Sequence, residues 1–287
     1  MWRLGLATAL LATPALAQEA AVPVVQTGVL TMVREYPANE ARQGAAADAK
    51  HFYAIVNSAI GKYDKVSGMR VGGWSSPRTG PIRHINSCFA EPGKLWCANS
   101  NFPEVPMGSS VEVFETLRMT HVASHSLGLL DEGSLTWFDR LGTGWIAGFA
   151  HYDERGGTGF KNHRYGAVAM YDAEWRRTGG WLFPDAVLER MKPHAASGGA
   201  LGPDGLLYVM GHDRPEIYVL AKPKMGPLLV HLATLDVAAE GQAFAWDRSA
   251  PRRLVAISRK EGKVRAFDVP PVALNHPNGL RFTPGRR

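Results

Sequence analysis

The 287-residue sequence predicts an all-β fold: a five-bladed β-propeller with four antiparallel strands per blade. Three observations carry that expectation. One two-strand form recurs five times along the chain. Turn residues are abundant, with 31 Gly and 19 Pro in an otherwise ordinary globular composition of 45% hydrophobic and 20% charged residues. The fifth copy lacks a last strand, and the N-terminus holds a segment that fits the gap.

The copies are RQGAAADAKHFYAIVN (42–57), INSCFAEPGKLWCANS (85–100), GSLTWFDRLGTGWIAGFAHY (133–152), GGALGPDGLLYVMGHD (198–213) and GQAFAWDRSAPRRLVAISRK (241–260). Each runs from a small or polar start through an apolar strand and a turn into a second apolar strand. The turns carry Asp-Ala-Lys, Glu-Pro-Gly-Lys, Leu-Gly-Thr-Gly, Pro-Asp-Gly and Ser-Ala-Pro, most of them hairpin chemistry. A third strand follows each pair: IGKYD, VEVFE, AVAMYD, EIYVL and KVRAFD. Four of these end in an acid: Asp64, Glu115, Asp172 and Asp268. A fourth strand follows the first four units: MRVGGW, THVASHS, RTGGWLF and LLVHLATL. The fifth unit has none, and VLTMVREYP (29–37) resembles RVGGWSSP and RTGGWLFP.

Closure is the physical reason for the ring. A lone twisted four-stranded sheet cannot bury both faces, whereas five in a ring can, and a borrowed N-terminal strand locks the seam. A period of about 45 to 60 residues suits blades of this size. The competing architecture is a large β-sandwich. One helical segment, Pro184 to Met191, has proline near its start and falls between the third and fourth units.

Residues 1–17 read as a secretory signal peptide. Met1-Trp2-Arg3 is a basic start, Leu4 to Leu16 an apolar run, and Ala15-Leu16-Ala17 a small-x-small cleavage site. The run is too short to serve as a bilayer-spanning anchor, and no later stretch is long and apolar enough. A soluble, periplasmic or secreted monomer is therefore expected, with one propeller over 18–270 and a tail over 271–287. The formal net charge is +6. In an exported protein that argues against nucleic acid as a partner and reads as a solvated basic surface, while allowing attraction to acidic substrates. Cys88 and Cys97 flank Pro92-Gly93. A two-residue turn there puts them opposite each other, where export would let a disulfide persist; other registers leave two separately buried thiols.

In a propeller the innermost strands start, and the second strands end, at one face. That face collects a polar set: Arg42, Gln43, His84, Asn86, Glu132, Ser134, Glu240 and Gln242 at first-strand starts, and Asn57, Asn99, Asn101, His151, His212, Asp213, Arg259 and Lys260 at second-strand ends. The longest loops, 101–110 and 151–166, leave from it, and six of the ten histidines, at 84, 125, 151, 163, 194 and 212, map there. Elaboration of one face marks a ligand site; the plainer alternative is that the polar ends bond backbone and channel water.

Three chemistries fit. Glu240 or Glu132, partly desolvated, is a candidate general acid/base, with Arg42, Gln43, Asn86, Asn101, His151, His212 and Gln242 holding substrate. Cyclisation, lactone opening or acyl transfer would suit, since the mature chain has no Gly-x-Ser-x-Gly motif. A divalent metal ion in the channel would take His151, His212 and Glu240, although no His-Glu-x-x-His motif is present. Otherwise the face only binds a sugar, peptide or envelope partner. Trp137 and Trp246 lie within first strands and read as core.

The segments SHSLG (124–128), GSLTWFD (133–139), GFAHYDERGGTGFKNHRYG (148–166), SGGALGPDGLLYVMGHDRPEIYVL (197–220) and AEGQAFAWD (239–247) resemble a family of bacterial exported propeller proteins that carries the label cycloisomerase. The chain is more distantly similar to the five-bladed glutaminyl cyclotransferases, which cyclise N-terminal glutamine. Their innermost strands open with Gln-Gly or Glu-Gly, and Gln43-Gly44 and Glu240-Gly241 stand in matching places. The resemblance implies a cyclase-like or lactone-type enzyme acting on a small polar molecule or peptide. The tail, NHPNGLRFTPGR, departs from the pattern: it reads as the start of another first strand that stops at its turn.

Overall fold

The computed structural model describes residues 23–129, 131–155 and 158–285; the expected signal peptide lies outside them. The chain enters through β1 (Gln26–Val29) and β2 (Thr31–Pro37). Blade one follows as β3 (Gly44–Ala47), β4 (His51–Val56), β5 (Ala59–Asp64) and β6 (Arg70–Ser75). Blade two is β7 (His84–Glu91), β8 (Lys94–Ser100), β9 (Gly108–Glu115) and β10 (Thr120–Leu129). Blade three is β11 (Ser134–Leu141), β12 (Gly144–Ala150), β13 (Ala167–Tyr171) and β14 (Arg177–Leu182). The helix α1 (Asp185–Met191) leads to blade four: β15 (Gly198–Leu201), β16 (Leu207–Met210), β17 (Glu216–Pro223) and β18 (Val230–Asp236). Blade five is β19 (Ala245–Trp246), β20 (Arg253–Ser258), β21 (Lys263–Asp268) and, at its outer edge, β2.

The ring closes as expected. β2 pairs antiparallel with β21, from Thr31 opposite Asp268 to Pro37 opposite Lys263. A second clamp adds to it: β1 runs parallel to β18, with Gln26 opposite Ala233. The N-terminal segment is thus bonded to blades four and five, on both sides of the seam. The tail packs against blade four through β22 (Gly279–Leu280), which pairs with the end of β17. Phe282 sets its ring edge-on to Trp181 at 5.4 Å.

Inner strands are buried between neighbouring blades on both faces, so they read as continuous apolar runs rather than alternating ones. All seven residues of β12 are buried, and Trp137 is fully enclosed, as a core residue should be. Outer strands such as β6 and β14 are half exposed. The repeated acids serve their own turns. Asp64 accepts the Val66 and Ser67 N–H groups, Glu115 those of Leu117 and Arg118, and Asp172 those of Glu174 and Arg176. Asp268 instead pairs with Arg253.

Cys88 and Cys97 are bridged. They are direct cross-strand partners on β7 and β8, with Cα atoms 4.1 Å apart, and Pro92-Gly93 form the turn between Glu91 and Lys94. Gly93 takes φ 76°, which only glycine adopts without cost. Among the described residues no helix is long and apolar enough to cross a membrane.

Candidate active site on the first-strand face

Where the innermost strands begin, the channel opens into a cavity of about 360 Å³. All five blades contribute to its wall: Gln43; His84, Asn86 and Phe102; Tyr152, Glu154 and Arg155; Pro193, His194 and His212; Gln242 and Arg259. Close approach of backbones explains the glycines of Gln43-Gly44 and Glu240-Gly241. A Cβ on Gly44 would lie 2.8 Å from the Ala243 side chain, and one on Gly241 would collide with the His212 carbonyl. Gln242 N–H donates to the Gly211 carbonyl (2.9 Å) and Ala243 N–H to the Gln43 carbonyl (3.0 Å), so the fifth strand start ties blades four and one together. Gln242 holds φ 114° and is buried. That conformation costs a side chain about 1–3 kcal/mol, and such strain gathers at working sites.

At the wall, Asp213 bridges two histidines. One carboxylate oxygen meets His212 Nδ1 at 2.7 Å and the other meets His194 Nδ1 at 2.6 Å. The imidazole rings stand 4.0 Å apart, and Tyr152 sets its edge against the His194 ring at 4.7 Å. Burial lowers the His212 pKa, the Asp213 bond offsets part of this, and the His194 and Arg259 charges lower it further. Burial would raise the Asp213 carboxyl, but its bonds to both histidines outweigh that and hold it below the usual carboxylate range. Burial brings His84 down to about 4, and it keeps the Tyr152 phenol protonated by raising its pKa. Near neutral pH the cavity therefore presents neutral His212 and His84 imidazoles beside an ionised carboxylate.

The expected site residues divide. Gln43, Asn86, His212 and Gln242 come together on the wall. Gln43 Nε2 donates to Asn57 Oδ1 (2.5 Å), and Asn86 Nδ2 to the Leu135 carbonyl (2.8 Å). The others stand elsewhere. Glu240 accepts the Arg259 N–H (2.8 Å) and the Ser258 hydroxyl (3.3 Å), supporting the end of β20. Arg42 is exposed and donates to the Arg259 carbonyl (2.7 Å). Glu132 pairs with Arg177 at 2.9 Å. Asn101 organises its own loop, taking the Gly108 N–H and donating to Pro106 O. His151 is buried against Gly133, with its pKa lowered by burial.

The metal set His151, His212 and Glu240 is therefore not gathered. Among the described residues, the three whose ligand atoms do lie within 4.8 Å of one another are His194, His212 and Asp213. Of the six histidines expected at this face, three line the cavity. His163 is buried on Asp153, and His125 sits instead on the outer strand β10, stacked between Trp96 and Trp175. Residues that the sequence had not singled out as ligands are Tyr152, His194, Asp213 and Arg259. One signal was available: His-Tyr-Asp (151–153) and His-Asp (212–213) occupy equivalent strand ends. Nothing linear joins His194 to Asp213, because the first hairpin of blade four lies between them.

No protein-family model matches the chain, and no curated protein matches it in sequence. Among solved structures it is similar to glutaminyl cyclase of Myxococcus xanthus, with 9% identity, a TM-score of 0.56, and coverage of 87% of this chain and 100% of that one. Weaker likenesses are to hydrazine synthase of Kuenenia stuttgartiensis (12% identity, TM-score 0.44, 77% and 68% covered) and to a chain of a mitotic checkpoint complex (12%, 0.42, 92% and 99%). At these identities the likeness is one of fold.

Proposed function

We propose that the cavity is the active site of a cyclase-like or lactone-type enzyme, with His212, oriented by Asp213, as its general acid/base. The observation that carries this reading is the bridging carboxylate. Asp213 takes Nδ1 of both His212 and His194. It thereby fixes the tautomer and leaves Nε2 of each ring for the cavity's occupant. The fold shared with a glutaminyl cyclase is consistent with such chemistry at the level of architecture alone.

In this scheme the substrate's attacking amine or hydroxyl gives its proton to His212 Nε2 as its lone pair forms a bond to an acyl carbon. Asp213 stabilises the imidazolium, and the proton returns to the leaving amine or alkoxide as that bond breaks. The amides of Gln43, Asn86 and Gln242 orient the carbonyl. Glu240, the acid/base candidate read from sequence, acts here on the backbone of Arg259. Export accompanies the proposal, because a Cys88–Cys97 bridge persists in oxidising compartments.

Turnover of glutaminyl peptides and of simple lactones by the purified protein is the test. His212→Gln should reduce the rate by about 10²- to 10⁴-fold with little change in Tm. Full activity in that variant would overturn the assignment. A wild type without turnover whose Tm is raised by the same compounds would make the chain a binding protein. A preparation that needs a divalent ion for activity, and loses that ion in His194→Ala, would make the His194–His212–Asp213 cluster a metal centre instead.

A further inference from the structure

We propose that Arg259 is the docking group for an anion in this cavity, so that the substrate is a small carboxylate-bearing molecule. The inference rests on the cavity being the ligand site and adds the ligand's charge. Arg259 lines the wall, and among the described residues no carboxylate lies within ion-pair distance of its guanidinium. The arginines around the opposite mouth differ: Arg140 holds Glu91, Arg248 holds Asp139, and Arg252 holds Asp204. Asp213 bonds the two histidines through its two oxygens and forms no ion pair with Arg259. Glu154, the carboxylate on the wall, forms no ion pair with Arg259.

The backbone around Arg259 is held from two blades. Glu240 takes its N–H and Arg42 donates to its carbonyl, at 2.8 and 2.7 Å. Two of the most polar first-strand starts thus converge on one residue whose side chain they leave free. Arg259 lines the same cavity as Tyr152, His194 and His212. The same wall carries the Gln43, Asn86 and Gln242 amides and the His84, His194 and His212 imidazoles, with Glu154 and Arg155 on the loop from blade three. A guanidinium without a carboxylate partner selects a planar anion that can accept its two-pronged donor pair.

The test is calorimetry on the mature protein with matched acid and amide probes, pyroglutamate against pyroglutamamide and succinate against succinamide. Each acid should bind about tenfold to a hundredfold more tightly than its amide. Arg259→Gln should abolish that preference while leaving amide binding and Tm unchanged, because the neighbours of residue 259 bond its backbone. Arg155→Gln, which removes the other cation on the wall, should preserve it, and a preference lost there would overturn the proposal. Equal affinity for acid and amide, absence of binding by every carboxylate, or a preference that survives Arg259→Gln would each overturn the proposal. His212→Gln separates the two readings: it should keep the acid preference while losing turnover. A retained preference in a wild type that turns nothing over would sink only the catalytic assignment.

Discussion

At the mouth opposite the candidate site, Asp139 is 2% exposed and accepts Arg248 Nη2 at 2.7 Å, the Leu201 N–H at 2.9 Å and the Arg140 N–H at 2.8 Å. Glu91 takes Arg140 through two bonds, Asp204 takes Arg252 and Tyr208, and Asp247 takes Lys65 at 2.6 Å. These bonds join blade two to three, three to four and five, four to five, and five to one. The cavity there is the larger of the two, about 670 Å³ against about 360 Å³. Its charges nevertheless answer one another. At the first-strand face, Nε2 of His194 and His212 and the Arg259 guanidinium have no hydrogen-bond partner among the described residues. Uncommitted hydrogen-bonding capacity, rather than size, separates the candidate active site from a structural seam.

The sharpest way to break this contrast is to exchange the expected phenotypes. His212→Gln should remove about 10²- to 10⁴-fold of activity and leave Tm within a few degrees. Asp139→Asn should do the reverse. Loss of a buried partner of Arg248 costs about 3 kcal/mol. That predicts a Tm lower by roughly 6–12 °C at 2–4 °C per kcal/mol, with activity retained below the transition. Thermal melts and assays run on both variants decide it; a stable, inactive Asp139→Asn would place chemistry at the wrong mouth.

The disulfide comes next. Its cysteines are 9 residues apart. A loop that short gives about 2–3 kcal/mol by chain entropy. Reduction, or Cys88→Ser with Cys97→Ser, should lower the denaturant midpoint accordingly while leaving the activity of the folded protein intact. An active-site effect without a stability effect would tie blade two's hairpin to the cavity, where no contact suggests it.

The pH dependence sharpens the comparison further. His84 titrates near 4 in the folded state and near 6.5 when unfolded, so the unfolded chain binds the extra proton first. The resulting stability is whole above about 6.5 and is lost as pH falls towards about 4. His84→Gln should flatten the fall in Tm over that window, with His151, His212 and His231, all lowered by burial, and at its acid end the carboxylates held low by their partners, such as Glu40, Glu91 and Asp213, supplying what slope remains. A slope unchanged by the substitution would mean that His84 is solvated. Activity should have its acid limb below the ordinary histidine value, since His212 must be neutral to accept a proton.

The fold was largely legible because its signals are local and repeated. Each hairpin carries its own turn chemistry, and the missing fourth strand left a recognisable remnant in VLTMVREYP. β1 was not legible: QTGV is four residues long and half exposed, too short to show a period. At the site, strand alternation put Glu240 and Gln242 on one face, two residues apart. Gln242's φ of 114° interrupts the extended backbone on which that alternation depends. Gln242 lines the cavity, while Glu240 reaches the backbone of Arg259. His194 and Asp213 meet only because the loop after α1 and the end of β16 share the rim, a proximity that no spacing in the sequence encodes.

Glu240→Gln carries the smallest expected effect and tests that last distinction. Glutamine keeps an oxygen that can accept the Arg259 N–H, so the strand end should hold and Tm should stay near wild type. Losing the charge on that bond should cost about 1 kcal/mol in ligand affinity, by letting the Arg259 backbone shift. The loss should therefore fall on KM, at less than about tenfold, with kcat preserved. An acid/base role predicts the opposite split, with kcat collapsing and KM unmoved. The two outcomes differ by at least an order of magnitude in kcat, so one steady-state measurement distinguishes a carboxylate that positions the anion-docking arginine from one that moves the proton.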